Sequence, residues 1–187
     1  MIVTLSGLPG AGTTTISKLL QDKTGFKFIS AGEIFRQEAK NRNLSLEQFS
    51  KMSESDPSID TGLDMKMIGI IRENQGNLIL EGRLAAYNCI HAVNGFSSKN
   101  KALKVLLTAA PEVRAKRIAQ RDAEESLDIT VAKMFRREAS ERKRYSSFYD
   151  IDIENTAIYD IIIPTDAKAP KEIAEIICSL TDLRSKS

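Results

Sequence analysis

Met1-Ile2-Val3-Thr4-Leu5-Ser6-Gly7-Leu8-Pro9-Gly10-Ala11-Gly12-Thr13-Thr14-Thr15 opens the chain, and its pattern decides the fold class. Met1 to Ser6 is a compact apolar run, as in a strand buried on both faces. A helical pattern begins at Thr14 and runs to Lys23, where Gly25 stops it. A glycine-rich turn between a strand and a helix can wrap a phosphate with backbone N–H groups, and the helix N-terminus adds partial positive charge. The whole turn, Gly7, Leu8, Pro9, Gly10, Ala11, Gly12, Thr13, Thr14 and Thr15, is thus a candidate ATP phosphate site. Thr14 occupies the Ser/Thr position whose hydroxyl takes Mg²⁺ in such loops. Thr13 stands where lysine is usual, and Lys18 lies about 7.5 Å further up the helix on a different face. Phosphoryl transfer asks a protein mainly for positioning and positive charge, so arginines elsewhere have to cover that deficit.

The remaining elements alternate. Phe26–Ser30 reads as a second strand, followed by amphipathic helices over Gly32–Asn43 and Leu46–Ser53 and a third over Asp60–Glu73. Asn77–Gly82 and Leu103–Thr108 read as buried strands, and Pro111 starts a helix that runs to Arg121. A charged helix covers Asp128–Phe148, Tyr159–Ile163 is the last strand and Lys171–Leu180 the last helix, with a polar, frayed tail from Thr181. Five apolar strands separated by helices predict a parallel α/β sheet covered on both faces. Residues 31–75 hold more helix than a crossover needs, which predicts an inserted subdomain that closes over a ligand.

A length of 187 residues suits one domain spanning 1–187. With 42% hydrophobic and 28% charged residues and a net charge of +2, the chain is an ordinary globular protein without the charge that nucleic acid or a membrane surface would call for. No apolar run approaches the roughly 18 residues of a membrane span, and the start has no basic segment of the kind that opens a signal peptide. Cys89 and Cys178 make neither a disulfide framework nor a metal-ligand spacing. A cytoplasmic monomer with no nucleic-acid or membrane partner is expected.

Arg36 follows Ser30 in Ser-Ala-Gly-Glu-Ile-Phe-Arg, on the first turns of a helix, where its guanidinium can fork onto an acceptor phosphate. Arg83 follows the third strand in Leu80-Glu81-Gly82-Arg83, and in parallel sheets the carboxyl ends of strands line the ligand crevice. Glu81, at the end of that strand, is a candidate Mg²⁺ ligand. Arg117 and Arg121 share a helical face. Arg137, Glu141 and Arg144 recur at i, i+4 and i+7, again one face. Beside a phosphate loop such a helix reads as a lid, and an acid between two arginines can accept from a base's exocyclic amine. Asp56, Asp60 and Asp64 recur every four residues; they read as a solvent-facing acidic stripe, with contact to the acceptor base as the alternative. These residues alone leave open a kinase for UMP, AMP or a non-nucleotide acceptor, and a nucleotide-binding switch without catalysis. An RNA-binding reading of the basic helix lacks the aromatics that stack bases.

GLPGAGTTT, ISAGEIFR, DPSIDTGLD, LILEGRLAA, REASERKRY and IYDIII, in this order and over nearly the whole chain, resemble the archaeal-type cytidylate kinases, a branch of the P-loop nucleoside monophosphate kinases. The resemblance implies a five-stranded parallel sheet of the P-loop NTPase type, an NMP-binding region at about 31–75 and a lid at about 122–150. It implies transfer of the γ-phosphate of MgATP to CMP and dCMP. Residues 7–15 would hold the ATP phosphates, with Mg²⁺ at Thr14 and Glu81, and Arg117 would lie against the ATP base. Arg36 and Arg83 would hold the CMP phosphate, with Ser30 on the acceptor side. Arg121, Arg137 and Arg144 would act on the transferring phosphate, and Glu141 would stand where related enzymes carry an aspartate near cytosine. Two departures accompany the resemblance: Leu84 replaces the acid of bacterial relatives, and Ala31 replaces the threonine of adenylate kinases.

Overall fold

The computed structural model describes residues 1–93, 102–122 and 126–186. Five parallel strands, β1 (Ile2–Gly7), β2 (Lys27–Ser30), β3 (Leu78–Glu81), β4 (Ala102–Thr108) and β5 (Ile161–Pro164), lie in the order β2-β3-β1-β4-β5. β1 is central, in register with both neighbours: Leu5 pairs with Glu81 on one side and Val105 on the other. Its carboxyl end therefore opens between β3 and β4, where strand order reverses and parallel sheets bind ligands.

Eight helices complete the described residues: α1 (Thr13–Thr24), α2 (Ala31–Asn41), α3 (Leu46–Ser53), α4 (Pro57–Glu73), α5 (Ala85–Val93), α6 (Pro111–Arg121), α7 (Leu127–Tyr149) and α8 (Pro170–Lys186). Alternation along the strands divides the core. Val3, Leu5, Ile79 and Val105 pack with Ile16 and Leu20 of α1 and Ile173 and Ile177 of α8. Ile2, Leu78 and Leu80 face Met67 and Ile71 of α4 and Ala85 and Cys89 of α5 on the other side. A satellite cluster of Phe35, Ala39, Phe49 and Ile59 holds α2, α3 and α4 together. Burying such side chains contributes about 1.5–3 kcal/mol each.

Four expectations change. α5 occupies a stretch for which no element was expected. α4 begins at Pro57 rather than Asp60, because Asp56 caps it by accepting from the Ser58 N–H at 3.0 Å. The chain continues as helix through Lys186 instead of fraying from Thr181. The acidic stripe does not face solvent: Asp60 is 3% exposed, and Asp64 is partly buried and accepts from Asn88 Nδ2 at 2.8 Å. Of the segment 122–150, residues 123–125 lie outside the described residues. The rest, from Leu127, is one continuous 23-residue helix. No helix among the described residues is long and apolar enough to cross a membrane.

Candidate active site

The glycine turn leads from β1 into α1. Gly10 and Gly12 both sit at positive φ, +83° and +94°, which only glycine adopts without strain. Gly12 offers no side-chain cap, so the first N–H groups of α1 stay free of a side-chain acceptor. Thr14 is partly exposed at this end, as an Mg²⁺-facing hydroxyl requires.

Thr13, at the usual lysine position, donates its hydroxyl to Glu81 Oε1 at 2.7 Å. Ser30 donates to the other oxygen, Oε2, at 2.5 Å, and its own oxygen accepts from the Glu33 N–H as the N-cap of α2. Glu81 thus ties the glycine turn to the start of α2. The chain passes closely there: a Cβ on Gly82 would stand 2.7 Å from the Cβ of Ala31. Ser30 is 3% exposed, so its hydroxyl caps and bridges rather than facing an open acceptor site.

Carboxylate and hydroxyl oxygens are hard donors suited to Mg²⁺, which often binds through one or two carboxylates plus substrate phosphates. The described residues hold no group of three or more His, Cys, Asp or Glu able to cage a metal. Glu81 bonded to Thr13, with the partly exposed Thr14 next in the chain, fits an ion carried in with a triphosphate.

The arginines fall into two sets. Arg83 reaches from the end of β3 to α7, donating Nε to Glu141 Oε2 at 2.5 Å, while Arg137 Nε donates to Glu141 Oε1 at 2.8 Å. Glu141 is 4% exposed. Burial works against its charged form, but the guanidiniums of Arg83 and Arg137 outweigh burial and hold its carboxyl at about 2. Both carboxylate oxygens are therefore engaged by arginines, and Glu141 orients those two groups where a base-reading role was expected. Because Arg83 uses its Nε here, its two terminal nitrogens remain as further donors. Arg36 is exposed midway along α2, with Nη1 over Gly32. Arg121 ends α6 exposed and forked onto its neighbour Asp122 at 2.7 Å.

Arg144 belongs to the second set and departs from the expected phosphate contact. It is 4% exposed and donates Nη1 to both oxygens of Asp60, at 2.7 and 2.6 Å, so it fastens α7 to α4. Arg117 also points inward, donating to the Gly10 carbonyl at 3.3 Å and to Thr165 Oγ and O at 2.8 and 2.7 Å. Arg114 had drawn no attention in the sequence. It is buried, donates to the Pro9 and Ala109 carbonyls, both at 3.2 Å, and pairs with Glu138. Its i−3 spacing from Arg117 was the available signal.

The Glu141 pair sets an acid limit on stability. Its folded pKa is depressed from 4.5 to about 2, so the stabilisation is present above pH 4.5 and is lost as pH falls toward 2. Urea unfolding of wild type and Glu141→Gln should differ by on the order of 3 kcal/mol at neutral pH, with the gap closing toward pH 2. A gap independent of pH would mean that Glu141 acts by shape alone.

A sequence profile described as the cytidylate kinase-like family matches residues 2–167. The chain belongs to that family. It is 42% identical over 180 residues to the cytidylate kinase of Methanococcus vannielii, covering 95% of this chain and 97% of that one. Against the cytidylate kinase of Methanocaldococcus jannaschii it is 40% identical over 182 residues, covering 97% and 98%. Among solved structures, a gluconokinase from Sinorhizobium meliloti aligns with a TM-score of 0.61 at 10% identity, covering 99% of this chain and 96% of that one. A shikimate kinase from Bacteroides thetaiotaomicron gives 0.60 at 15% identity, covering 97% and 98%. At such identities these likenesses establish the fold and nothing finer, whereas the family rests on the full-length relatives.

Proposed function

We propose that this chain transfers the γ-phosphoryl group of MgATP to CMP and dCMP, giving ADP and the corresponding diphosphate. The observation that carries the reading is the Arg83–Glu141–Arg137 cluster at the carboxyl end of β3, one strand from the phosphate turn. Its terminal nitrogens suit a phosphate acceptor rather than a neutral hydroxyl compound, and the cytidylate kinases that the chain matches over nearly its full length support CMP as that acceptor.

The acceptor phosphate is ionised near neutral pH, so the reaction needs no general base. Residues 7–15 bind the triphosphate. Arg36 and Arg83 hold the acceptor phosphate for in-line attack, and Arg121 and Arg137 supply positive charge at the transferring group. Mg²⁺, held through Thr14 and Glu81, would neutralise the phosphate oxygens. Arg144 holds α7 over the acceptor side by way of Asp60, and α7 with residues 31–75 excludes water. A cytoplasmic monomer is part of the same proposal; the free thiols of Cys89 and Cys178 suit a reducing compartment.

A coupled ADP-release assay with MgATP and CMP, dCMP, UMP, AMP or no acceptor tests the reading. Turnover confined to CMP and dCMP is expected; silence with all of them would reject it, and AMP as best acceptor would reject the base assignment. In the same assay Arg121→Ala should lower kcat at least about tenfold, or 1.4 kcal/mol of barrier. A change within about twofold would remove Arg121 from the reacting phosphate.

A further inference from the structure

Three successive carbonyls of the phosphate turn are held from outside. Pro9 O accepts from Arg114 Nη1 at 3.2 Å, Gly10 O from Arg117 Nη1 at 3.3 Å and Ala11 O from Thr165 Oγ at 3.1 Å. The three donors come from α6 and from the residue after β5, and they are joined: Arg117 donates to Thr165 Oγ and O. Arg114 and Thr165 are 3% and 2% exposed, so water does not compete for these bonds.

We propose that Arg114, Arg117 and Thr165 form a carbonyl brace that positions the turn's phosphate-binding N–H groups, and that this chain relies on it where other loops use lysine. The proposal rests on the reading that residues 7–15 bind the ATP phosphates. A trans peptide unit is planar, with its C=O and the following N–H on opposite sides. Holding the Pro9 and Ala11 carbonyls to the rear therefore aims the N–H groups of Gly10 and Gly12 to the front. The intervening N–H, of Ala11, closes a turn onto the Leu8 carbonyl at 3.0 Å, which fixes the same arrangement.

The seat is steric as well. A Cβ on Gly10 would lie 2.6 Å from the Arg114 carbonyl oxygen and 2.9 Å from its Cα, so the turn rests directly on the first turn of α6. Arg114 is paired with Glu138 of α7, and its charge is balanced. What it contributes is geometry. Arg117 meets neutral oxygens of Gly10 and Thr165 and keeps its positive charge behind the turn. Donors fixed before the ligand arrives bind without an ordering cost, which matters most in a loop that has no lysine to draw phosphate in. Arg114, Arg117 and Thr165 are on this account positioning residues, acting on phosphate through the backbone.

The test separates the two ends of ATP. Calorimetric titration with inorganic tripolyphosphate and, separately, adenosine is run on wild type, Thr165→Val, Thr165→Ser and the double variant Arg114→Met/Glu138→Leu, which removes both buried charges together. Thr165→Val keeps the shape and deletes two hydrogen bonds, the one given to Ala11 O and the one taken from Arg117 Nη1, so tripolyphosphate should weaken at least about fivefold. Thr165→Ser should restore wild-type binding, and the double variant should weaken tripolyphosphate at least as much as Thr165→Val. Adenosine affinity should stay unchanged in all four. Tripolyphosphate binding equal to wild type in Thr165→Val overturns the brace, and so does a parallel loss of adenosine and tripolyphosphate with a falling Tm. A wild type that ignores tripolyphosphate overturns the phosphate-site reading, and the brace with it. If the double variant fails to fold, the Val and Ser pair decides alone.

Discussion

Replacing Arg83 by methionine is expected to lower kcat/KM for CMP by about three orders of magnitude, the upper range for truncating one member of a buried charge pair. Arg83 stands at the point where β3 delivers the chain into the ligand crevice, with its Nε committed to Glu141. Only a guanidinium can give its Nε–H to that carboxylate and still present a separate, planar pair of terminal nitrogens to a phosphate. Arg83→Lys is therefore the informative companion. An ammonium can meet Glu141 or the acceptor, but not both in one geometry, so lysine should recover stability while leaving kcat/KM at least about tenfold low. Affinity for ATP should be unchanged in both variants, because the phosphate turn is fastened by other residues. Wild-type kcat/KM in Arg83→Lys would mean that the acceptor phosphate is held elsewhere.

How far the sequence could be read depended on the range of the interactions. The sheet, the phosphate turn and α1 follow from local pattern: a strand-length apolar run, glycines, and a helical repeat stopped by Gly25. α5 was missed because it is only nine residues long and its buried face is made of small residues, Ala85, Ala86, Cys89 and Ala92. It follows β3 almost at once, and no capping residue announces it. The misreading of Asp60 and Asp64 has a different cause. Acids at i and i+4 look solvent-facing unless their partners are known, and the partners are Arg144, 84 residues away, and Asn88, 24 away. Glu141 was legible as an acid among arginines, but Arg83 reaches it from 58 residues away. Thr165 left no motif at all and Arg114 only its i−3 spacing from Arg117, because what they hold is backbone, and backbone carbonyls have no signature in sequence.

The second large effect concerns Asp60 and Arg144. Both are about 4% exposed, and Arg144 Nε is buried without a hydrogen-bond partner, so the pair is imperfectly satisfied. Burial pushes the Asp60 carboxyl up even with Arg144 beside it. Arg144→Leu should then cost about 3–5 kcal/mol at neutral pH by leaving a buried carboxylate without its counter-charge. An acid whose folded pKa is raised favours its protonated form in the native state, so the deficit should shrink as pH falls through that pKa toward the unfolded value of 3.8. Asp60→Leu/Arg144→Leu should unfold near wild type, because two apolar side chains replace two desolvated charges. A double variant as unstable as the single one would show that the pair does stabilise the fold. With stability restored, the acceptor KM of the double variant reports what the pair is for. If Arg144 holds α7 on α4 so that Arg83, Glu141 and Arg137 meet at one point, that KM rises while ATP affinity stays. An unchanged KM would free the acceptor site from α4 and leave the Glu141 cluster to align it alone.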